Sequence, residues 1–227
     1  MIIFKPSAIE GFFNEDGRMN SLRIGIAVAF LMFGVVAIAQ KDTRQSIDAQ
    51  AVERLVIHTD EVFRISLHAE KTSQISINTH SEGEYFDNIL LQSELANGTL
   101  QLVTEYPERL AGGFDKLSAH KVFSLEIDLV IPENLEVEIR SNIASVIADG
   151  SFLSLFADLN QGYCKLQNFT GSAVVNTFRG NIEVETTGGI VEATSRHGQV
   201  EIPDFMTGRN PLKLTSIDGN IRVVKTK

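Results

Sequence analysis

Glycine returns at a near-fixed interval in the second half of this chain, at positions 162, 180, 198 and 219. The spacings are 18, 18 and 21 residues. Each glycine opens a similar phrase: Gly162-Tyr163-Cys164-Lys165-Leu166, Gly180-Asn181-Ile182-Glu183-Val184, Gly198-Gln199-Val200-Glu201-Ile202 and Gly219-Asn220-Ile221-Arg222-Val223. Eighteen residues before Gly162, Ala144-Ser145-Val146-Ile147-Ala148 is a fifth, more degenerate copy. A unit this short cannot bury its own apolar face, so copies of it must stack on one another.

Aligned on the marker residue, the copies form columns. Two positions after it stand Val146, Cys164, Ile182, Val200 and Ile221; four after it stand Ala148, Leu166, Val184, Ile202 and Val223. Seven before it stand Val137, Leu155, Ala173, Val191 and Leu212; five before it stand Ile139, Ala157, Val175, Ala193 and Leu214. All twenty are apolar in a chain whose hydrophobic content is 43%. The positions between are mostly polar. Alternation with period two means strands with one buried face. The spacing predicts two short strands and two turns per copy, stacked as a β-solenoid. Glycines would supply φ > 0 at the markers and at a second turn near Gly150, Gly171, Gly189 and Gly208. An antiparallel meander folded into a sandwich is the alternative, but columns in register over five copies favour the stack. The stretch Pro203–Pro211 lengthens one turn and should protrude. Lys225 and Lys227 would protect the final edge strand.

The first half is β-rich without this period. Val62–Leu67, Gln74–Ile77 and Lys121–Ile131 alternate, and Ile89–Leu95 and Thr99–Val103 flank Asn97-Gly98, a hairpin signal. The expected class is all-β: a β-solenoid-like stack of 18-residue two-strand coils preceded by irregular strands and hairpins. Residues 40–132 form the N-terminal β region and 133–227 the repeat region, within one continuous domain over 50–227.

Residues 1–39 read as a leader. Met19 to Arg23 gives a short basic start, Ile24–Ile38 is apolar, and Ala37-Ile38-Ala39 predicts cleavage before Gln40. Met19 is a candidate start, with 1–18 an extension ahead of it. The alternative is a membrane anchor at 24–38, although that run is short of the roughly 20 residues a span needs. The expected location is therefore outside the cytoplasm: periplasm, cell surface or secreted.

A net charge of -9 opposes binding to phosphate backbones, so nucleic acid is not an expected partner. One cysteine excludes an internal disulfide framework or a cysteine-rich metal site. The Asn97-Gly98-Thr99-Leu100-Gln101-Leu102 phrase, the leader and the Gly-Asn-Ile-Glu-Val repeats together resemble the putative-adhesin Toastrack family, related to the head-GIN autotransporter adhesins. The resemblance spans roughly residues 50–227. It implies an exported β-strand-repeat domain and brings no catalytic residues with it.

The chemical candidates are few. The outward column Lys165, Glu183, Glu201, Arg222 would place Glu183 and Glu201 on neighbouring strands about 4.8 Å apart, near the spacing of paired glycosidase carboxylates. The same column reads equally as a solvated charge ladder. Histidines 58, 68, 80, 120 and 197 lack metal-ligand spacing, and no cofactor is expected. Asn168-Phe169-Thr170 and Asn97-Gly98-Thr99 match a glycosylation acceptor but read more simply as turns. Cys164 falls in an inward column and should be buried. Another outward column holds Glu138, Phe156, Val174, Glu192 and Lys213. There Phe156 and Val174 should be adjacent, either covered by the N-terminal strands or exposed as a contact patch. The sequence thus points to an exported, non-enzymatic interaction module contacting an envelope or surface protein or glycan. The alternative is a carbohydrate-active enzyme built on Glu183 and Glu201.

Overall fold

A computed structural model of the protein describes residues 40–60, 62–83, 90–105, 123–204 and 207–226. The expected leader and cleavage site, and His120, lie outside them. Among the described residues no helix is long and apolar enough to cross a membrane.

The described chain is all-β. The N-terminal region contributes β1 (Gln40–Asp48), β2 (Arg54–Thr59), β3 (Val62–Glu70) and β4 (Gln74–Gly83). Then come β5 (Leu90–Ala96), β6 (Thr99–Glu105), β7 (Phe123–Pro132) and β8 (Glu136–Ser141). The repeats give β9 (Ser145–Gln161), β10 (Cys164–Arg179), β11 (Ile182–Thr186) and β12 (Ile190–Ser195), followed by β13 (Val200–Glu201), β14 (Pro211–Asp218) and β15 (Ile221–Lys225). The hairpin at Asn97-Gly98 forms as expected, with φ of 50° and 76° at its two central residues. In the first two copies the two short strands are fused. β9 and β10 run on through the second turn, bending at Gly150 and Gly171, where φ is positive.

Two ladders result. The first runs β1-β4-β7-β3-β9-β10-β11-β15-β13. The second runs β5-β6-β2-β8-β9-β10-β14-β12, using the later halves of β9 and β10. From β7 to β13 and from β6 to β12 neighbouring strands are parallel. The predicted columns hold. Val146, Cys164, Ile182, Ile221 and Val200 are register partners along the first ladder, and Val137, Leu155, Ala173, Leu212 and Val191 along the second.

The order of the coils departs from the chain order. The Gly219 copy (β14–β15) lies between the Gly180 and Gly198 copies, because β15 pairs with both β11 and β13, and β14 with both β10 and β12. β15 is therefore interior, and Lys225 guards no edge; the edge is β12–β13. To make this exchange, the connection leaving β11 and the one entering β14 pack against each other at one corner. A side chain on Gly188 would run into the Thr207 carbonyl, and Gly208 lies against Gly189. The described part of the long Pro203–Pro211 connection thus touches this corner through its backbone, while Asp204 and residues 207–211 stay exposed.

The N-terminal half follows the same columns, which its sequence spacing hides. Leu55 and Ile57 of β2 pair with Val137 and Ile139, and Ile65 and Leu67 of β3 with Val146 and Ala148. Beyond them Leu100, Leu102, Ile127 and Leu129 extend the columns again, all fully buried. Ile57 and Ile65 are eight positions apart where Ile139 and Val146 are seven, and residues 106–122 separate β6 from β7.

The marker glycines serve a different purpose from the expected one. Of the four, only Gly162 has a positive φ. A Cβ on Gly162 would strike Ala144, one on Gly180 would strike Gly162, one on Gly219 would strike Gly180, and one on Gly198 would strike Gly219. Close approach of stacked backbones at this corner, more than left-handed geometry, excludes a side chain. Hydroxyls line the interior beneath it: Thr177 Oγ1 and Ser216 Oγ donate to Gly180 O at 2.8 and 3.2 Å, and Ser195 Oγ to Gly219 O at 2.6 Å.

Candidate functional site: the outer face of the second ladder

Strand alternation that buries one face of the second ladder necessarily turns the other outward. Glu138, Phe156, Val174, Lys213 and Glu192 form one line across five strands of that face. Phe156 and Val174 are register partners, as the column predicted. The described N-terminal strands extend this ladder edge to edge instead of lying over it. Val174 keeps 36% of its surface exposed, while Phe156 is half-buried. With Ile190 and Pro211 they line a groove of about 340 Å³.

The groove has charged flanks. On one side Glu138, whose side chain is only 14% exposed, accepts hydrogen bonds from Arg54 Nη2 and, at 2.8 Å, from Arg140 Nε. His58 Nε2 lies 3.5 Å from the same carboxylate. The hydrogen bond from Arg140, with His58 and Arg54 close by, holds the Glu138 carboxyl below its usual value against the opposing effect of burial. Arg140 also reaches over Phe156, its guanidinium carbon 5.2 Å from the ring centroid. On the other side Lys213 and Glu192 are register partners.

Sequence reasoning named Glu138 but missed its partners. Arg54 and His58 come from β2, which lies outside the 18-residue period, so nothing in the spacing brings them beside residue 138.

The first ladder carries the other candidate. The exchange of coil order inserts Arg222 between Glu183 and Glu201, giving the line Lys165, Glu183, Arg222, Glu201. The expected adjacency of the two glutamates is therefore corrected. They stand two strand spacings apart, about 9.6 Å, and Arg222 Nε lies 3.6 Å from Glu201 Oε2. The column alternates in sign along its length, as a charge ladder does. Beside it Asn181 Oδ1 accepts from Asn220 N and Asn220 Oδ1 from Gln199 N, both at 2.8 Å.

Cys164 is fully buried, and desolvation pushes its thiol up to about 12. His68 and His197 each face one aspartate, Asp149 at 3.9 Å and Asp218 at 2.6 Å.

No family model matches this sequence, and no match was found among curated proteins. Solved structures do match. The chain is similar to a putative cell adhesion protein of Clostridium sporogenes, with a TM-score of 0.62 at 13% identity over 82% of this chain and 100% of that one. Two further matches are a putative adhesin of Bacteroides fragilis, at 12% identity over 81% of this chain and 97% of that one, and one of Parabacteroides distasonis, at 9% identity over 81% and 97%. Their TM-scores are 0.35 and 0.32. The likeness to the Clostridium sporogenes protein is one of fold, and that protein's description is of the kind that the Toastrack resemblance implied.

Proposed function

We propose that this chain is an exported, non-enzymatic interaction module that binds an envelope or surface partner through the outer face of its second ladder. The observation that carries the reading is the Phe156–Val174 centre, open to solvent and set between the Glu138 cluster and the Lys213–Glu192 pair. The adhesion-type description of the Clostridium sporogenes protein of like fold supports it, as does the apolar run 24–38 ending in Ala37-Ile38-Ala39. In the first ladder Arg222 stands between the two carboxylates that the enzymatic alternative would use.

The experiment is affinity capture from envelope extracts with the full chain and with Val174→Asp and Phe156→Ala variants as bait. Val174 points outward, so its replacement leaves the core intact. A partner retained by the natural chain and lost from both variants supports the reading. Identical captured sets overturn it.

A further inference from the structure

The stack has two unlike ends. At one, the antiparallel strands β4 and β1 close the first ladder and β5 closes the second. Gln45 of β1 donates to Ser93 of β5 at 2.8 Å across that end. At the other end, β12 and β13 each pair with a single neighbour among the described residues. Residues that the columns turn inward are open there: Val200 is 40% exposed and Ile202 48%, where Val184 and Leu166, in the same column as Ile202, are buried. β12 has no lysine, proline or bulge to blunt its edge.

We propose that a second copy of this chain caps this end, with β12 pairing antiparallel to β12 of the other copy about a two-fold axis through Thr194. Backbone parity comes first. Ile190 N and Arg196 N donate inward to Asn210 O and Ser216 O. The even-numbered residues of β12 therefore spend their backbone groups on β14, and Val191, Ala193 and Ser195 turn theirs to the open edge. An axis at Thr194 sets Ala193 opposite Ser195 of the second copy, and Ser195 opposite Ala193, completing a ladder from those free groups.

Charge then selects the register. On the outward face the Thr194 axis places Glu192 opposite Arg196 of the second copy, and Arg196 opposite Glu192, with the two threonines facing each other between them. Opposite charges and Thr–Thr pairs are favourable across strands. An axis at Glu192 would oppose two carboxylates, and one at Ala193 would pair Glu192 with Thr194 and leave both arginines without an acid. An isologous contact must match itself in this way. The same axis, perpendicular to the ladders, brings the β13 ends together over Val200 and Ile202. The patch is small, so association should be reversible and weakened by salt.

Sedimentation of the purified full chain, over about a hundredfold concentration range spanning micromolar values, tests this. A monomer–dimer equilibrium is expected. Glu192→Arg or Arg196→Glu alone should weaken it at least about tenfold, and the double exchange E192R/R196E should restore it to within about threefold. Thr194→Arg sets like charges on the axis from an outward position with no core contact, and it too should dissociate the dimer. Melting curves establish that each variant is folded. A chain that stays monomeric throughout, or a dimer indifferent to the single reversals or not restored by the double one, overturns the proposal.

Discussion

Displacement by one residue along a strand decides between core and solvent. Val184 is buried and Glu183, its neighbour, is exposed. Val184→Asp puts a charge among Leu166, Val223 and the facing ladder, and should cost roughly 4 kcal/mol or prevent folding. Glu183→Ser should cost less than about 0.5 kcal/mol. Equal melting temperatures for the two variants would contradict the register. Cys164 reports on the same face without mutation. Its thiol is inaccessible and its ionisation is pushed up to about 12, so a thiol-specific dye should label the native protein slowly and fully only after denaturation. Rapid native labelling would turn the column outward. Glu138 gives a pH signature. Its folded pKa lies below the ordinary 4.5, so the stability it contributes is present above that value and is lost as pH falls through the lowered one. Glu138→Gln should therefore flatten the acid limb of the stability profile, measured by denaturant midpoints between neutral pH and the acid transition.

At the scale of an element, the corner glycines and the hairpin glycine make opposite demands. Gly98 sits at φ 76° with ordinary clearance around it, so Gly98→Ala meets backbone strain alone, about 1–2 kcal/mol. Gly180→Ala meets no left-handed backbone but drives a methyl into Gly162. The coils must part for it, at roughly 2–3 kcal/mol, and the loss should propagate to the Thr177 and Ser216 hydrogen bonds beneath. Chemical denaturation of the two variants side by side checks this ranking. The Gly188-Gly189 pair belongs with Gly180. Two connections pass at that corner, and such passing is rare because backbones there need room.

For the whole molecule, the exchanged order of the last two coils has a consequence for truncation. Removing residues 211–227 takes away β14 and β15, which lie between the rest of the stack and β12–β13. The outer strands then lose the partners they have among the described residues, and 187–210 should become protease-sensitive. A chain ending at 186 instead exposes β10 and β11 as a new end. Limited proteolysis should cut the first truncation rapidly within 187–210 and leave a core the size of the second. If 187–210 remained protected in the first, β12 and β13 would have another docking place. The proposed export makes a separate demand: mass spectrometry of the protein recovered from its source cells should find Gln40 at the mature N-terminus.

The 18-residue glycine phrase and its alternating flanks were enough to establish strands, the inward face and the register, because a period-two side chain has only two directions and the closely stacked corner leaves no room for a Cβ in the four copies that follow Ala144. Val146, Cys164 and Ile182 share a column on that logic alone. What the spacing could not carry was the order in which coils lie. Parallel strands with like columns pair equally well with any copy, so pattern alone leaves the Gly198 and Gly219 copies interchangeable; only the packed connections at Gly188, Gly189 and Gly208 decide between them. That choice put Arg222 between Glu183 and Glu201. The N-terminal coils were hidden for a related reason: one added residue between Ile57 and Ile65, and the 106–122 stretch between β6 and β7, break the period while leaving the core untouched. The Glu138 cluster depends on that hidden pairing of β2 with β8, so Arg54 and His58 reach Glu138 through tertiary structure that no spacing in the sequence records, while Arg140, two residues along the same strand, is a local partner.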